Sequence, residues 1–179
     1  SYAQVRGFPK RAGGEDFYLL NKMQKIAGVQ SIKATPIKLE CRTSDRVPFG
    51  TGPAVKKLLE STNPKSEPIF YHPKCFDIFR QGLAAIRSTH PNQWLESSAL
   101  PLEFKAALED LGIDSVQIHL ASFYTASQKQ PGQQMQDRGY HYHLDLWFDA
   151  FHTLKTIHFL RDNYFGCISY SEWLEMETD

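Results

Sequence analysis

The chain has 179 residues, with 20 basic and 20 acidic side chains, and carries 12 Phe, 8 Tyr and 3 Trp. That length suffices for one domain, or for a small domain with an extension. The balanced charge gives neither the basic footprint of a nucleic-acid binder nor an acidic tail, and no apolar run reaches the ~18 residues of a membrane span. The cysteines Cys41, Cys75 and Cys167 are odd in number and far apart. They fit neither a C-x-x-C metal site nor a disulfide framework, which points to a reducing, cytosolic setting. No secretory signal is visible.

Residues 1–13 read as a polar loop holding Arg6, Lys10 and Arg11 near Gly7, Pro9, Gly13 and Gly14. Its cations suit ordinary solvated positions or an approach to a diphosphate or anionic acceptor. A helix follows, with apolar residues at Phe17, Leu20, Met23, Ile26 and Ala27 and a stop at Gly28. Glu15 and Asp16 fall in or just before its first turn, where free N–H groups and the helix dipole favour negative charge. Two readings meet there. Acidic residues cap many helices. An aspartate beside a glycine pair, where substrate can approach the backbone, can also take the proton of an attacking hydroxyl. Position alone does not choose between them.

Residues 31–43 alternate around Ile32, Ala34, Ile37, Leu39 and Cys41, which predicts a half-buried strand with Pro36 breaking it or marking an edge. SDRVPFGTGP, at 44–53, is a dense turn signal. It suits a structural turn, or a substrate contact through Arg46 and the backbone at Gly50, Thr51 and Gly52. A short helix at 54–61 and a polar break at 62–68 follow.

Beyond the break the pattern is helical. Pro73 opens a helix with Phe76, Phe79, Leu83 and Ile86 on one face, closed by His90-Pro91-Asn92. Another runs from Leu102 to Leu111 and stops at Gly112. Asp114 caps a third over 115–129, and Pro131-Gly132 breaks the chain again. The longest helix is expected over 134–163, with Leu144, Trp147, Phe148, Phe151, Leu154, Ile157 and His158 along one side. Gly139 marks a kink or a contact in it. A last helix over 171–177 takes Ser171 as cap. The fold class is α+β, predominantly helical.

His141, Asp145 and Asp149 recur at i, i+4, i+8, with His152 three further on. Converging imidazoles and carboxylates can bind metal, but no H-E-x-x-H accompanies them. His–Asp pairing on a solvated or interhelical face is the preferred reading, so no metal ligand is assigned. His119 and His158 lie on apolar helices, where a hydrogen-bonded core or interface histidine is the default. The cysteines have no evident activating neighbour.

GGEDFYLLNKMQKIAG, the alternating stretch after it, and Ser44-Asp45-Arg46-Val47-Pro48-Phe49-Gly50-Thr51-Gly52, in that order, resemble the acceptor-side end of a bacterial family 2 glycosyltransferase with the GT-A fold. The resemblance covers roughly residues 1–55. It implies transfer of a sugar from a nucleotide-diphosphate donor to a hydroxyl acceptor, with Asp16 as general base and Glu15 in support. Arg11, Gly14, Arg46, Gly50 and Thr51 are then the substrate-binding candidates. A divalent cation, Mg or Mn, is implied for the full-length enzyme, with ligands outside this chain, because no D-x-D occurs here. Some relatives carry a metal-binding histidine in the turn region; none precedes His72 here, so that role is not carried over. The chain opens on Ser1, where the family motif would already stand late. A C-terminal piece of a longer enzyme is therefore expected, inactive alone.

On this reading residues 1–61 are the C-terminal piece of a GT-A-like domain, and 62–179 form a helical subdomain. The location is cytoplasmic, free or peripheral to the inner membrane. The Q-x-x-R-W motif of processive relatives is not matched by Gln134-Met135-Gln136-Asp137-Arg138, whose spacing differs and which lacks the tryptophan, so polymer synthesis is rejected. The alternative is a helical binding or dimerisation module without catalysis, its partner a second copy. A stand-alone hydrolase would need a nucleophile–base pair near Asp16, and the sequence offers none.

Overall fold

The computed structural model describes residues 2–11, 13–33, 35–38, 40, 42–47, 49–89, 97–113 and 133–176, with the backbone alone at 133–138 and 140. The helix expected over 115–129, with its cap Asp114 and with His119, lies outside the described residues, as do the stop at 90–92 and the break at 131–132. The chain divides into two compact units. Unit 1 comprises residues 1–68 and 169–175, and unit 2 comprises residues 69–168 together with the last four residues. The fold is α+β and mostly helical, with two short strands among the described residues.

Unit 1 begins with a turn segment and then α1, Glu15–Ala27. Its buried side is marked by Leu19, while Leu20 and Ile26 of the expected stripe stand exposed. After Gly28 the described residues up to 45 carry no strand. Among its described residues the alternation at 31–43 forms no strand: Ile32 and Ile37 are 83% and 84% exposed. A period of two buries a face only where a partner strand and a core lie beside it, and Pro36 also removes one ladder donor. Ala34, Leu39 and Cys41 lie outside the described residues.

Helix α2, Thr51–Glu60, follows the turn region, and a single 3₁₀ turn, Pro64–Ser66, follows α2. Glu67 ties the two together, accepting from Ser61 Oγ at 2.7 Å and meeting Lys57 Nζ at 3.1 Å. Those two contacts hold its carboxyl below the usual carboxylate range.

Unit 2 opens on β1, Phe70–Tyr71, and closes on β2, Cys167–Ile168; they pair antiparallel, Phe70 opposite Ile168 and Tyr71 opposite Cys167. Between them, α3 (Pro73–Ser88) is the spine. Pro73 sits at its first position and His72 caps it, Nδ1 accepting from the Lys74 N–H at 3.1 Å. Its inward stripe is Cys75, Ile78, Phe79, Gly82, Ala85 and Ile86, helical spacing throughout. Phe76, assigned to that stripe from periodicity, is 51% exposed and meets Tyr71 edge-on instead.

Helix α4, Leu102–Asp110, ends one residue before the expected Leu111, which is its C-cap, and Gly112 follows with φ +71°. The expected long helix is broken. It is α5 (Gln133–Trp147) and α6 (Ala150–Leu160), followed by a π turn over Arg161–Phe165. The break is made by Asp149, whose side chain accepts from the N–H groups of Phe151 and His152 at 3.0 and 2.9 Å. A carboxylate doing this starts a new helix instead of continuing the old one.

Two apolar clusters meet along α3. One gathers Ala85, Ile86, Leu100, Phe104, Leu108, Ile113 and Leu144, with Trp147 and Phe148 packed on it. The other gathers Cys75, Ile157 and Leu160 with Tyr71 and Phe165; Ile78 and Phe79 touch both. Each fully buried Leu, Ile or Phe here contributes roughly 1.5–3 kcal/mol of transfer free energy.

The last helix, α7 (Tyr170–Met176), begins with a capping box. Ser169 Oγ accepts from the Glu172 N–H at 3.2 Å, and Glu172 Oε2 accepts from the Ser169 N–H at 2.7 Å. Ser169, not Ser171, is therefore the cap. Ser171 instead points its hydroxyl at the Lys65 carbonyl, 3.4 Å away.

Candidate functional site

The first candidate site is the N-terminal end of α1. Gly14 is its N-cap in the left-handed region, φ 71° and ψ 17°, a conformation that costs glycine nothing. It has no side chain to cap with, so the first-turn N–H groups look to the acidic pair that follows. Asp16 Oδ1 accepts from the Phe17 N–H at 2.8 Å, and Asp16 is exposed. Glu15 turns the other way, its Oε1 4.0 Å from Arg46 Nη2.

The turn region packs onto this helix start. A Cβ at Gly13 would stand 2.9 Å from both Phe49 Cζ and Val47 Cγ1, so the glycine is what lets the loop approach. The loop is also closed on itself: a Cβ at Gly52 would stand 2.7 Å from the Ser44 carbonyl oxygen. Asp45 reaches forward to Lys56 at 3.4 Å. Arg11 lies with its guanidinium 4.0 Å from the centre of the Tyr18 ring, one turn into α1.

The structure thus brings Gly13, Gly14, Glu15 and Arg46 to one place and sets the Arg11 guanidinium against Tyr18 of the helix that follows. Gly50 and Thr51 belong to the start of α2, with Gly50 as its N-cap and the Gly50 carbonyl accepting from the Ala54 N–H at 3.2 Å. Chemically, the site offers one exposed carboxylate on a fixed helix start and an arginine within reach of its neighbour.

The second set of candidates, in unit 2, is dispersed by the helix break. Asp145 pairs with Arg87 of α3 at 2.6 Å, while Asp149 pairs with His152 Nδ1 at 3.1 Å. The i, i+4, i+8 register of His141, Asp145 and Asp149 needs a continuous helix, and Asp149 ends that continuity. Among the described residues no group of three or more His, Cys, Asp or Glu stands close enough to hold a metal ion. None of the helices they form is long and apolar enough to cross a membrane.

His158 faces Tyr71 across unit 2, with its Nε2 2.9 Å from the phenol oxygen and the two rings stacked 5.8 Å apart. Burial, and then the neighbouring Arg161 charge, hold its imidazole below the ordinary histidine value; the Asp162 carboxylate opposes them. Arg161 grips Asp162 with two bonds, Nε to Oδ1 at 2.6 Å and Nη2 to Oδ2 at 2.9 Å. That grip pulls the Asp162 carboxyl down and pushes the guanidinium up.

Sequence reasoning missed the joint grouping of His152, Lys155 and Asp162 with Asp110. Only the Asp149–His152 spacing of three signals any part of it; the partners 152 and 110 are joined by tertiary packing. No protein-family model, curated protein or solved structure matches the chain.

Proposed function

We propose that residues 1–61 supply the acceptor-side acidic motif of a glycosyltransferase, which moves a sugar from a nucleotide-diphosphate donor to a hydroxyl acceptor. One observation carries the reading. The two segments on which the family resemblance rests, about thirty residues apart, pack on each other: Val47 and Phe49 close over Gly13, and Arg46 reaches Glu15. A chance likeness of two separate stretches gives no reason for them to meet.

In this reading Asp16 takes the proton of the acceptor hydroxyl as its oxygen attacks the anomeric carbon, and the nucleoside diphosphate leaves with the bonding electrons. Asp16 is suited to it by exposure and by its seat on a helix start. Its bond to the Phe17 N–H occupies one oxygen and fixes the carboxylate. Glu15 and Arg46 brace each other beside it, and Arg11, Gly14, Gly50 and Thr51 are the further substrate-binding candidates of this reading. Such a base contributes typically 10²–10⁴-fold in rate. The divalent cation implied for the whole enzyme finds no ligand set among the described residues, and no step above runs through it.

For the alternative docking role the expected apolar face is divided: Trp147 and Phe148 pack on the unit's own core, whereas Leu154 stands exposed.

The test compares wild type with Asp16→Asn in the full polypeptide bearing this segment. Nucleoside-diphosphate release is followed over a panel of nucleotide sugars with Mg²⁺ or Mn²⁺. A loss of at least ~10²-fold with unchanged thermal stability is the expected result. Unchanged release returns Glu15–Asp16 to the role of a helix cap.

A further inference from the structure

Unit 2 carries a cleft of about 490 Å³ between the end of α4 and one face of α6 with its π turn. That volume is in the range of small-molecule sites. Every residue lining it lies in unit 2, whereas the acidic motif belongs to unit 1.

What the cleft accepts follows from what its side chains have already spent. His152 lines it with Nδ1 bound to Asp149, whose side chain is only 8% exposed. The ring is also stacked on Trp147, centroids 4.4 Å apart and planes 17° apart. Carboxylate and indole together fix the ring's position. In the uncharged imidazole the proton must sit on Nδ1 to make the bond, which leaves Nε2 as a lone-pair acceptor. Asn163 gives one Nδ2 hydrogen to the Phe159 carbonyl at 2.9 Å, which leaves its second N–H and its side-chain oxygen for a ligand. The Asp162 charge is offset by the two-bond grip of Arg161. Asp110 and Lys155 then balance each other in sign.

Asp110 has a second peculiarity. It stands with Glu109 in the last turn of α4, which holds no basic residue. A carboxylate there opposes the helix dipole. Such a locally unfavourable placement is what a binding role retains.

The cleft is therefore rich in acceptors, close to neutral overall, and largely polar, with Phe159 offering an aromatic ring. An anion such as phosphate would find Lys155 already offset by Asp110, and Asp162 already paired with Arg161. An acyl chain would strand the polar groups. A neutral molecule bringing several O–H donors and an apolar C–H face satisfies all of them.

We propose that this cleft binds a neutral, hydroxyl-rich ring compound of mono- to disaccharide size. A ligand hydroxyl donates to His152 Nε2, and Asp110 and Lys155 contact further hydroxyls. The proposal does not rest on the transferase reading.

The test uses the full chain with ¹⁵N-labelled histidine, titrated with glucose, maltose and myo-inositol, and separately with inorganic phosphate. The expected result is a saturable shift of the His152 Nε2 resonance with at least one of the three neutral compounds and none with phosphate. Asp110→Asn and Lys155→Gln, both at exposed positions, should each weaken that response by about tenfold while leaving the other imidazole signals in place, the loss of one hydrogen bond to a charged group. No saturable shift with any of the three compounds overturns the proposal. So does a response to phosphate, or one that survives both substitutions unchanged.

Discussion

The ring of Phe104 occupies the space that any side chain at Gly82 would need. Helix α3 presents no Cβ at that point, and Phe104, fully buried, fills the gap between α3 and α4. Phe79 meets the same ring edge-on at 5.9 Å and Phe148 stacks on it at 6.2 Å, so it has nowhere to retreat. Gly82→Ala gains up to ~1 kcal/mol of helix propensity. It loses more to overpacking, since forcing a methyl into a filled core costs roughly 1–3 kcal/mol. Thermal denaturation of the variant should show a net destabilisation; a rise in Tm would mean that Phe104 can move aside.

Asp149 performs two tasks with one oxygen. It caps α6 through two backbone N–H groups and holds His152. Asp149→Ala should cost about 1–2 kcal/mol, the upper range of cap deletions, and release the His152 tautomer. Asp149→Asn keeps a capping oxygen and should recover most of the stability. Denaturant titration reads the first effect, and imidazole ¹⁵N shifts read the second.

His158 makes stability depend on pH. Its value in the folded chain is lowered, chiefly by burial and then by Arg161. Between that lowered value and the ordinary value, near 6.5, the unfolded chain binds the proton more readily. Stability contributed at this site is therefore complete above about pH 7.5, falls as the pH drops through the ordinary histidine range, and levels off below the folded value. In His158→Gln the fall between about pH 7.5 and 5 should be shallower than in wild type, as measured by urea midpoints at each pH.

The two described cysteines should react differently. Cys75 is fully buried in the second cluster and burial pushes its thiol up, whereas Cys167 is exposed. The thiolate is the reactive form. Iodoacetamide on the native chain, read by peptide mass spectrometry, should label Cys167 readily and Cys75 only after denaturant is added. Early labelling of Cys75 would mean that unit 2 opens locally at β1 and α3.

Arg46 and Glu15 form an exposed pair, with Arg46 77% exposed. Pairs of this kind contribute under ~1 kcal/mol. Arg46→Ala should leave the melting curve within about 0.5 kcal/mol of wild type. If nucleoside-diphosphate release in the full polypeptide nevertheless falls, the arginine serves substrate and not the fold.

Helices were legible where period and punctuation agreed. Gly28 after α1, Pro73 at the first position of α3 and Gly112 after α4 each stand at the boundary that backbone chemistry demands. The break at Asp149 was not legible. On a continuous helix an aspartate there reads as one more solvated charge, and only its bonds to two N–H groups make it a cap. The segment 31–43 misled for the opposite reason: its alternation is real, but alternation cannot supply the neighbour that would cover Ile32 and Ile37. In the acidic motif the residue types were visible from order alone, whereas the closure of Val47 and Phe49 over Gly13 was not. In unit 2, the bond between Tyr71 and His158 joins positions 87 apart, beyond any local pattern.

The pairing of Phe70 with Ile168 brings the two ends of the stretch 70–168 side by side. Chain entry and chain exit lie on adjacent strands, about 5 Å apart. A stretch whose two ends emerge side by side behaves as a cassette: it can be gained, lost or exchanged in a single genetic step without stretching the residues that flank it. A short linker in place of such a stretch would close the flanking chain over its excision.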